Sequence, residues 1–382
     1  MPTDLRDLIE RAGGDTTIRP DLAAIRRRAV KIQRRRRARR ATTALVATVA
    51  TVTLLVTVLP HAGTSNPDIT TSSQNPIRAI ATFPLPKPNS DLTHIVQGPD
   101  GNLWFTTTNA QLGRITPTGH IIMFAIPDGA EAIGITSGPD GNIWFTDTLG
   151  DAGQIGRITV SAPNTVTEYP LAAGVDPGGI TTGPDHNLWF SEMIEANPLN
   201  VTGRIARITP SGTITEFPNS AQPSSPDGIT VGPDHNLWFN GFGGQIGRIT
   251  TSGHTTLFSL SAAVRASGGG FAITLGPDQN LWFTEQRGVI GRITPAGQIT
   301  EYPLPADSGA TRDLTGITVG PDHNLWFGST QGPIGRITTK GTITFYPLPG
   351  VSPAFPTPGP HNTLWVSERD QIVRITLGPT RH

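Results

Sequence analysis

The chain contains no cysteine, and charged residues make up only 15% of its 382 residues. Without cysteine, the protein has no disulfide, no thiolate metal site, no cysteine nucleophile and no lipoprotein anchor. The sequence also lacks a phosphate-binding loop, a zinc motif, a Ser-His-Asp spacing and a Rossmann glycine pattern. Aromatic residues account for only 6% of the chain, and their positions carry most of the information.

All seven tryptophans end the same phrase, Gly-Pro-Asp-x-Asn-(Leu/Ile)-Trp, which is degraded only in the last copy. They are spaced 39 to 49 residues apart. A period of this length, built from short strands and turns, is typical of a propeller blade. The sequence therefore predicts an all-β, seven-bladed propeller of four-stranded blades over residues 78–378. The tryptophans are Trp104, Trp144, Trp189, Trp238, Trp282, Trp326 and Trp365.

The seventh repeat ends after its third strand, and the missing fourth strand occurs before the first repeat. Residues 79–86 match residues 299–305, the fourth strand of the fifth repeat. Pairing of this N-terminal segment into the last blade would close the ring and remove its open edges. The alternative is an open array with two incomplete terminal blades.

The N-terminal part has the composition of a membrane anchor. Residues 1–40 carry 13 basic against 5 acidic residues, and no charge occurs between Arg40 and Asp68. Residues 41–60 would form a transmembrane helix, since 19 helical residues span roughly 28 Å. The chain would then be a single-pass protein of the cell membrane. Its basic segment would stay in the cytoplasm, residues 61–77 would form a linker, and the propeller would lie outside the cytoplasm. A cleavable signal peptide is the alternative to this anchor. Because a basic run directly before an apolar segment usually sets membrane topology, we expect no nucleic-acid partner.

Four carboxylates recur three residues after the tryptophans, where the second strand of each blade ends. If all of them face one mouth of the propeller, they could hold Mg²⁺ through oxygen ligands or attract a cationic partner. Alternatively, each carboxylate caps a neighbouring backbone amide. The candidate metal ligands are Asp147, Glu192, Glu285 and Glu368.

Polar residues at the starts of the first strands are predicted at the same mouth. His94 is the candidate general base there, and the alternative is a satisfied or merely exposed histidine. Asp227, Arg312 and Asp313 are candidate substrate-binding residues for a small-molecule or peptide ligand. We expect the propeller to be monomeric.

Two other recurrent residue types are interpreted as structural. Histidine alternates with glycine and glutamine inside the Gly-Pro-Asp turns, which indicates a need for positive φ and not for imidazole. The third-strand arginine recurs in all seven repeats, after glycine in five of them, which favours a contact between blades over a single functional site.

The repeated phrase, followed by Ile-Gly-Arg-Ile-Thr and Gly-x-Ile-Thr-Glu-(Phe/Tyr)-Pro-Leu-Pro, closely resembles the virginiamycin B lyase (streptogramin B lyase) family over residues 77–377. The resemblance implies a magnesium-dependent enzyme that linearises a cyclic depsipeptide antibiotic by elimination. The essential histidines of the family match Thr315 and Phe355 here, and its metal-binding glutamate matches Glu368. Neither Thr315 nor Phe355 can act as a base near neutral pH.

Two hypotheses follow from this departure. The first is an extracytoplasmic scaffold that binds a ligand or partner at an acidic mouth. The second is a carbon–oxygen lyase in which His94 replaces the missing histidines.

Overall fold

The computed structural model describes residues 75–87, 91–127, 131–149, 152–197, 200–217, 226–241, 244–262, 270–285, 288–305 and 314–379. The predicted cytoplasmic segment 1–40 and membrane helix 41–60 lie outside these residues, as does most of the predicted linker 61–77. Among the described residues, no helix has the length and apolar character needed to cross a membrane.

The described residues form strands β1 to β28 in chain order. The strands are β1 (Ile77–Pro84), β2 (Leu92–Gln97), β3 (Leu103–Thr107), β4 (Gln111–Ile115), β5 (Ile121–Ala125), β6 (Glu131–Ser137), β7 (Ile143–Leu149), β8 (Ala152–Ile158), β9 (Val166–Ala173), β10 (Val175–Thr182), β11 (Leu188–Asn197), β12 (Asn200–Ile208), β13 (Ile214–Phe217), β14 (Pro226–Val231), β15 (Leu237–Gly241), β16 (Gln245–Ile249), β17 (Thr255–Ser259), β18 (Gly270–Leu275), β19 (Leu281–Glu285), β20 (Val289–Ile293), β21 (Ile299–Pro303), β22 (Leu314–Val319), β23 (Leu325–Ser329), β24 (Ile334–Ile337), β25 (Ile343–Tyr346), β26 (Pro356–Gly359), β27 (Thr363–Glu368) and β28 (Gln371–Leu377).

These strands make seven antiparallel sheets of four strands each, and each sheet is one blade of a propeller. Six blades consist of four consecutive strands, whereas the seventh has the order β1-β28-β27-β26. Ile80 pairs with Ile375, and Thr82 pairs with Val373. The predicted seven-bladed fold and its closure by the N-terminal strand are confirmed.

The hydrophobic core lies between the blades. All seven tryptophans have no exposed surface, and neither do Phe105, Phe145, Phe190 and Phe283. Trp238 of the fourth blade packs with Phe283 of the fifth, and Trp282 packs in turn with Phe327 of the sixth. Successive strand residues point to opposite faces, so neighbouring Trp and Phe side chains serve the two interfaces of one blade.

The repeated polar residues fix the buried tryptophans. In the fifth blade, Asp278 accepts a hydrogen bond from Trp282 Nε1 at 2.9 Å and another from Asn280 Nδ2 at 2.8 Å. The guanidinium of Arg292 lies 5.7 Å from the Trp282 ring and donates to the Thr339 carbonyl of the next blade. Arg157, Arg207, Arg248 and Arg374 make the same kind of contact, so the prediction that the recurrent arginines connect blades is confirmed for five of the seven.

The Gly-Pro-Asp turns require a left-handed backbone, as the sequence indicated. The residue after the aspartate has φ of 56° at His186 and 59° at Gln279, and glycine at the same place in the first blade has φ of 75°. Imidazole is therefore not needed for the turn to form.

The antiparallel strands give the ring two distinct ends. One end carries the turns that join the first strand to the second and the third strand to the fourth, and we call it the turn face. Arg207 joins both kinds of turn, because its Nη1 donates to Asp185 Oδ2 at 3.1 Å and to the Thr251 carbonyl at 3.3 Å. The opposite end is the mouth, where second strands end and first strands begin.

Candidate ligand site at the propeller mouth

The centre of the site is a contact between His94 and Phe355. Their ring centroids lie 4.0 Å apart with an interplanar angle of 36°. His94 lies in the bulged part of β2 in the first blade, and Phe355 immediately precedes β26 in the seventh. The contact therefore joins the two blades that meet where the ring closes.

The other five blades have glycine or alanine at this register position. The innermost strands approach each other closely here, because a Cβ on Gly179 would lie 2.6 Å from the Asp227 carbonyl oxygen. A Cβ on Gly316 would lie 2.9 Å from the Phe355 Cα. The His94–Phe355 pair is thus a local departure from a row of small residues, which are Gly134, Gly179, Gly228, Ala272 and Gly316.

His94 is a weak base in this environment. Burial lowers the pKa of His94 to about 4, although a hydrogen bond to the Ile133 backbone acts in the opposite direction. Its Nδ1 is buried without a hydrogen-bond partner among the described residues. The imidazole is therefore neutral at neutral pH and has little affinity for a proton.

Of the two positions matched to the family histidines, only Thr315 keeps its register. Ile317 pairs with Phe327 and Pro356 with Val366, each one residue after a blade tryptophan, so the seventh-blade residue in register with Thr315 is Ala354, and Phe355 follows it. Thr315 is buried, and its hydroxyl donates to the Ala354 carbonyl at 2.6 Å. The Thr315 carbonyl accepts a hydrogen bond from Thr284 Oγ1 at 2.7 Å. Thr315 thus links the fifth, sixth and seventh blades, and Phe355 covers the ring of His94.

The four candidate metal ligands are not gathered at the mouth. Asp147, Glu192 and Glu285 have no exposed surface. Each shares a strand face with the buried phenylalanine two residues before it, so its side chain points into the interface with the preceding blade. The sequence analysis expected these three carboxylates to face the mouth, whereas the structure buries them between blades. Their role as metal ligands stays a prediction.

Glu192 has a cation supplied by its own blade. Arg204 on β12 donates from Nε to Glu192 and from Nη2 to Glu216 on β13. Burial raises the pKa of Glu192, while Arg204 lowers it in part. Sequence reasoning missed this triad, because only the third blade has arginine at that place.

Among the residues that the structure describes, no cation pairs with Asp147 or Glu285. Both oxygens of each carboxyl are buried without a hydrogen-bond partner among the described residues. Burial raises the pKa of Asp147 to about 7, with a further contribution from Glu168. Burial likewise raises the pKa of Glu285 to about 8, helped by the charge of Glu301.

Glu368 is the most accessible of the four candidates. Its Oε1 accepts a hydrogen bond from the Ser352 amide at 3.1 Å, and its other oxygen accepts one from Gln371 Nε2. No cluster of three histidine, aspartate or glutamate side chains suited to a metal occurs within the described part of the chain. The role of Glu368 as a magnesium ligand stays a prediction.

Of the candidate substrate-binding residues, only Asp227 is described. It is half-buried at the start of β14, and its carbonyl accepts a hydrogen bond from Ser191 Oγ at 2.8 Å. Arg312 and Asp313 lie outside the described residues, so their role stays a prediction.

A row of polar side chains two residues after the tryptophans was missed at the sequence level. These side chains donate to carbonyls in the innermost strand of the next blade. Thr146 Oγ1 reaches the Gly178 carbonyl at 2.7 Å, and Asn240 Nδ2 reaches the Ala272 carbonyl at 3.1 Å. The signal was a repeated Thr, Ser or Asn at one register position, which sequence alone did not connect to a partner.

The fold defines the class of protein as a seven-bladed propeller closed by its N-terminal strand. The family model of the virginiamycin B lyase family matches residues 64–305 and 244–380. The chain belongs to the virginiamycin B lyase family. No curated protein matches it.

Solved structures agree with this assignment. A streptogramin B lyase is 32% identical, with a TM-score of 0.69, over 78% of this chain and 98% of that one. A catalytically inactive histidine-to-alanine variant of virginiamycin B lyase from Staphylococcus aureus with quinupristin is 34% identical, with a TM-score of 0.69, over 78% of this chain and 99% of that one. The extracellular domain of a hybrid two-component system from B. thetaiotaomicron, 16% identical with a TM-score of 0.58 over 77% of this chain and 40% of that one, shows the fold alone.

Proposed function

We propose that this protein is a membrane-anchored, extracytoplasmic propeller that binds a peptide-like ligand at its mouth without cleaving it. The observation that supports the proposal most directly is the place of Phe355. Phe355 packs on His94 at 4.0 Å and follows Ala354, the residue in register with Thr315, so neither of these two positions carries imidazole here. An aromatic hydrocarbon ring cannot take a proton from a substrate.

His94 is a poor substitute for the missing histidine. Abstraction of a proton next to a carbonyl needs a base whose pKa lies near the working pH. Burial lowers the pKa of His94 to about 4, which leaves it neutral but weakly basic. The geometry therefore favours binding over elimination.

A peptide-like ligand is supported by the family relationship. A relative 34% identical to this chain has been solved as an inactive variant with quinupristin, so the fold can hold a ligand without turning it over. Backbone carbonyls and amides of the first strands, together with Asp227 and Glu368, offer polar contacts to an amide-rich ligand.

The second candidate function is the lyase of the family with His94 as base. It is favoured by the same contact, because His94 lies beside the position that the family base would occupy. A magnesium requirement belongs to this candidate, with Glu368 as the residue that the resemblance assigns to the metal.

The test uses the propeller with quinupristin, with and without Mg²⁺, followed by calorimetry and by chromatography with mass measurement. We expect binding with no product. A linear product of unchanged mass would indicate elimination and overturn the proposal, and absence of both binding and product would overturn the ligand class.

Two variants separate the candidates. Ala354→His places imidazole at the seventh-blade position in register with Thr315, and gain of product in this variant would show that the site lacks only the base. If the proposal is correct, the His94→Ala variant should bind quinupristin as the parent protein does, and neither protein should form product. Loss of a measurable turnover in His94→Ala would establish the lyase instead.

A further inference from the structure

The turn face concentrates the exposed histidines of the described propeller. Histidine side chains occur there in the turns between first and second strands and in those between third and fourth strands. All of them are exposed, as is Lys340 in a turn of the sixth blade. His94, at the mouth, is the exception among the described histidines. The turn-face histidines are His120, His186, His235, His254, His323 and His361.

The acidic groups of this face are already neutralised. Among the described residues, the aspartates of the face are those of the Gly-Pro-Asp turns, and each pairs with an arginine of its own blade. The distances between guanidinium nitrogens and carboxylate oxygens range from 2.7 Å at Asp322 to 3.9 Å at Asp278. The six pairs are Asp100–Arg114, Asp140–Arg157, Asp185–Arg207, Asp234–Arg248, Asp278–Arg292 and Asp322–Arg336.

The seventh blade breaks the pairing and adds positive charge. Its turn carries His361 and Asn362 where the other blades carry the aspartate, so Arg374 has no carboxylate partner there. Arg374 instead donates to the Pro117 carbonyl at 2.6 Å. With the exposed Arg78 and Lys340, the turn face is basic even when its histidines are neutral. Histidine is also the side chain that gains charge as the pH falls from 8 to 5.

The chain enters the propeller on the same face. The amide of Gly378 donates to the Pro76 carbonyl at 2.7 Å, and Asn362 Nδ2 donates to the Leu377 and Gly378 carbonyls at 2.9 and 3.0 Å. The N-terminal strand therefore begins beside the His361 turn. The predicted membrane span 41–60 precedes it by a predicted linker of 61–77, and a flexible chain of that length has a root-mean-square span of roughly 23 Å.

We propose that the turn face docks on an anionic phospholipid surface, and that protonation of its histidines strengthens the docking. The inference rests on the proposed anchor for orientation, because a tether at this face leaves the mouth directed away from the bilayer. Anionic headgroups attract basic residues within about a Debye length, which is roughly 8 Å at physiological salt. Since the tether raises the effective concentration, the face needs only weak intrinsic affinity.

The docking itself is tested without the anchor. The ring closes within residues 77–377, and the relatives at 32% and 34% identity match over 98% and 99% of their chains, so the propeller is a complete folding unit. A protein of residues 75–382 is sedimented with vesicles of phosphatidylcholine, alone or mixed with phosphatidylglycerol, at about pH 5.5 and about pH 7.5. We expect several-fold more bound protein on the anionic vesicles, and more at the lower pH.

The chain itself offers the matched substitution. Gln279 occupies the histidine position of the turn in the fifth blade, with the same left-handed φ, and Gln298 occupies the position of His120 and His254. Replacement of all six histidines by glutamine should therefore preserve the fold and abolish the pH dependence of vesicle binding. Equal binding to both kinds of vesicle, or pH-dependent binding that persists in the six-fold variant, would overturn the proposal.

The full chain in lipid nanodiscs then tests the orientation. The turn-face histidines should react more slowly with diethyl pyrocarbonate in anionic than in zwitterionic nanodiscs, whereas the exposed Lys87 near the mouth should be labelled equally in both. Equal histidine labelling in both would overturn docking. Failure of the full chain to insert would refute the anchor, and failure of vesicle binding would refute docking, so the two outcomes are distinguishable.

Discussion

The stability of the propeller should fall as the pH rises through the range in which Glu285 loses its proton. Burial, assisted by the charge of Glu301, raises the pKa of Glu285 from 4.5 to about 8. The folded protein therefore holds this proton more tightly than the unfolded chain. The resulting stability is fully present below about pH 4.5 and is lost as the pH rises through about 8.

The size of the effect follows from the shift. Each pH unit between the two pKa values corresponds to about 1.4 kcal/mol, so Glu285 alone should remove roughly 4 kcal/mol of unfolding free energy by pH 8. The side chain has no exposed surface, so solvent screening reduces this figure little. Asp147, whose pKa is raised to about 7 by burial and by Glu168, should add a second loss at lower pH.

Urea unfolding followed by tryptophan fluorescence measures the free energy of unfolding at each pH, because all seven tryptophans are buried in the folded protein. Glu285→Gln cannot ionise, so it should be more stable than the parent at pH 8 by a few kcal/mol and similar to it near pH 5. Glu192→Gln is the control, and it should be destabilised at every pH because Arg204 loses a charged partner. An unchanged pH slope in Glu285→Gln would refute the argument.

Further predictions concern the blade interfaces and the ring closure. Val289→Arg should place a guanidinium between Glu285 and Glu301, as Arg204 lies between Glu192 and Glu216 in the third blade, and should stabilise the protein at pH 8 by about 1–2 kcal/mol. Val289→Leu is the control and should not stabilise it. Equal unfolding midpoints for the two variants would contradict this expectation. Phe83→Ala removes the ring stacked 5.5 Å from Trp365 and should cost about 3 kcal/mol, whereas Ile80→Thr, on an exposed site of the same strand, should cost under about 0.5 kcal/mol. Asp278→Ala removes the hydrogen-bond acceptor of Trp282 and Asn280 and the carboxylate that forms an ion pair with Arg292. It should lower the free energy of unfolding by about 2–4 kcal/mol in the same assay, and an unchanged free energy would show that the network is dispensable.

The fold was predictable because six of the seven blades repeat the same local chemistry. The turn that needs positive φ, the aspartate that fixes the tryptophan and the small strand residue that accommodates the phenylalanine recur at the same places in each of these six repeats. At Gly291, for example, a Cβ would lie 2.1 Å from Phe283 Cζ. Closure of the ring was also predictable, since a fourth strand missing at one end and present at the other has few places to pair.

The site was harder to predict because its residues come from blades that are distant in the chain. His94 and Phe355 are more than 250 residues apart, and only ring closure brings their side chains to 4.0 Å. The strand period correctly predicts that Glu285 and Asp147 are equivalent, but it does not reveal which blade face receives them. The contacts of Arg204 were equally hard to predict from the sequence, because its two acidic partners lie on different strands.

The sequence by itself thus determined the number of blades, the four-strand pattern and the pairing of the N-terminal segment, predicted as 79–86 and found as Ile77–Pro84, with the last blade, because these depend on local periodicity. Only the tertiary structure decided which carboxylates are buried without a cation among the described residues, and that His94 packs on Phe355, next to the position of the missing histidine. It also placed the exposed histidines on the face where the chain enters. Each of these depends on which surfaces meet when seven similar sheets close into a ring, and no single repeat contains that information.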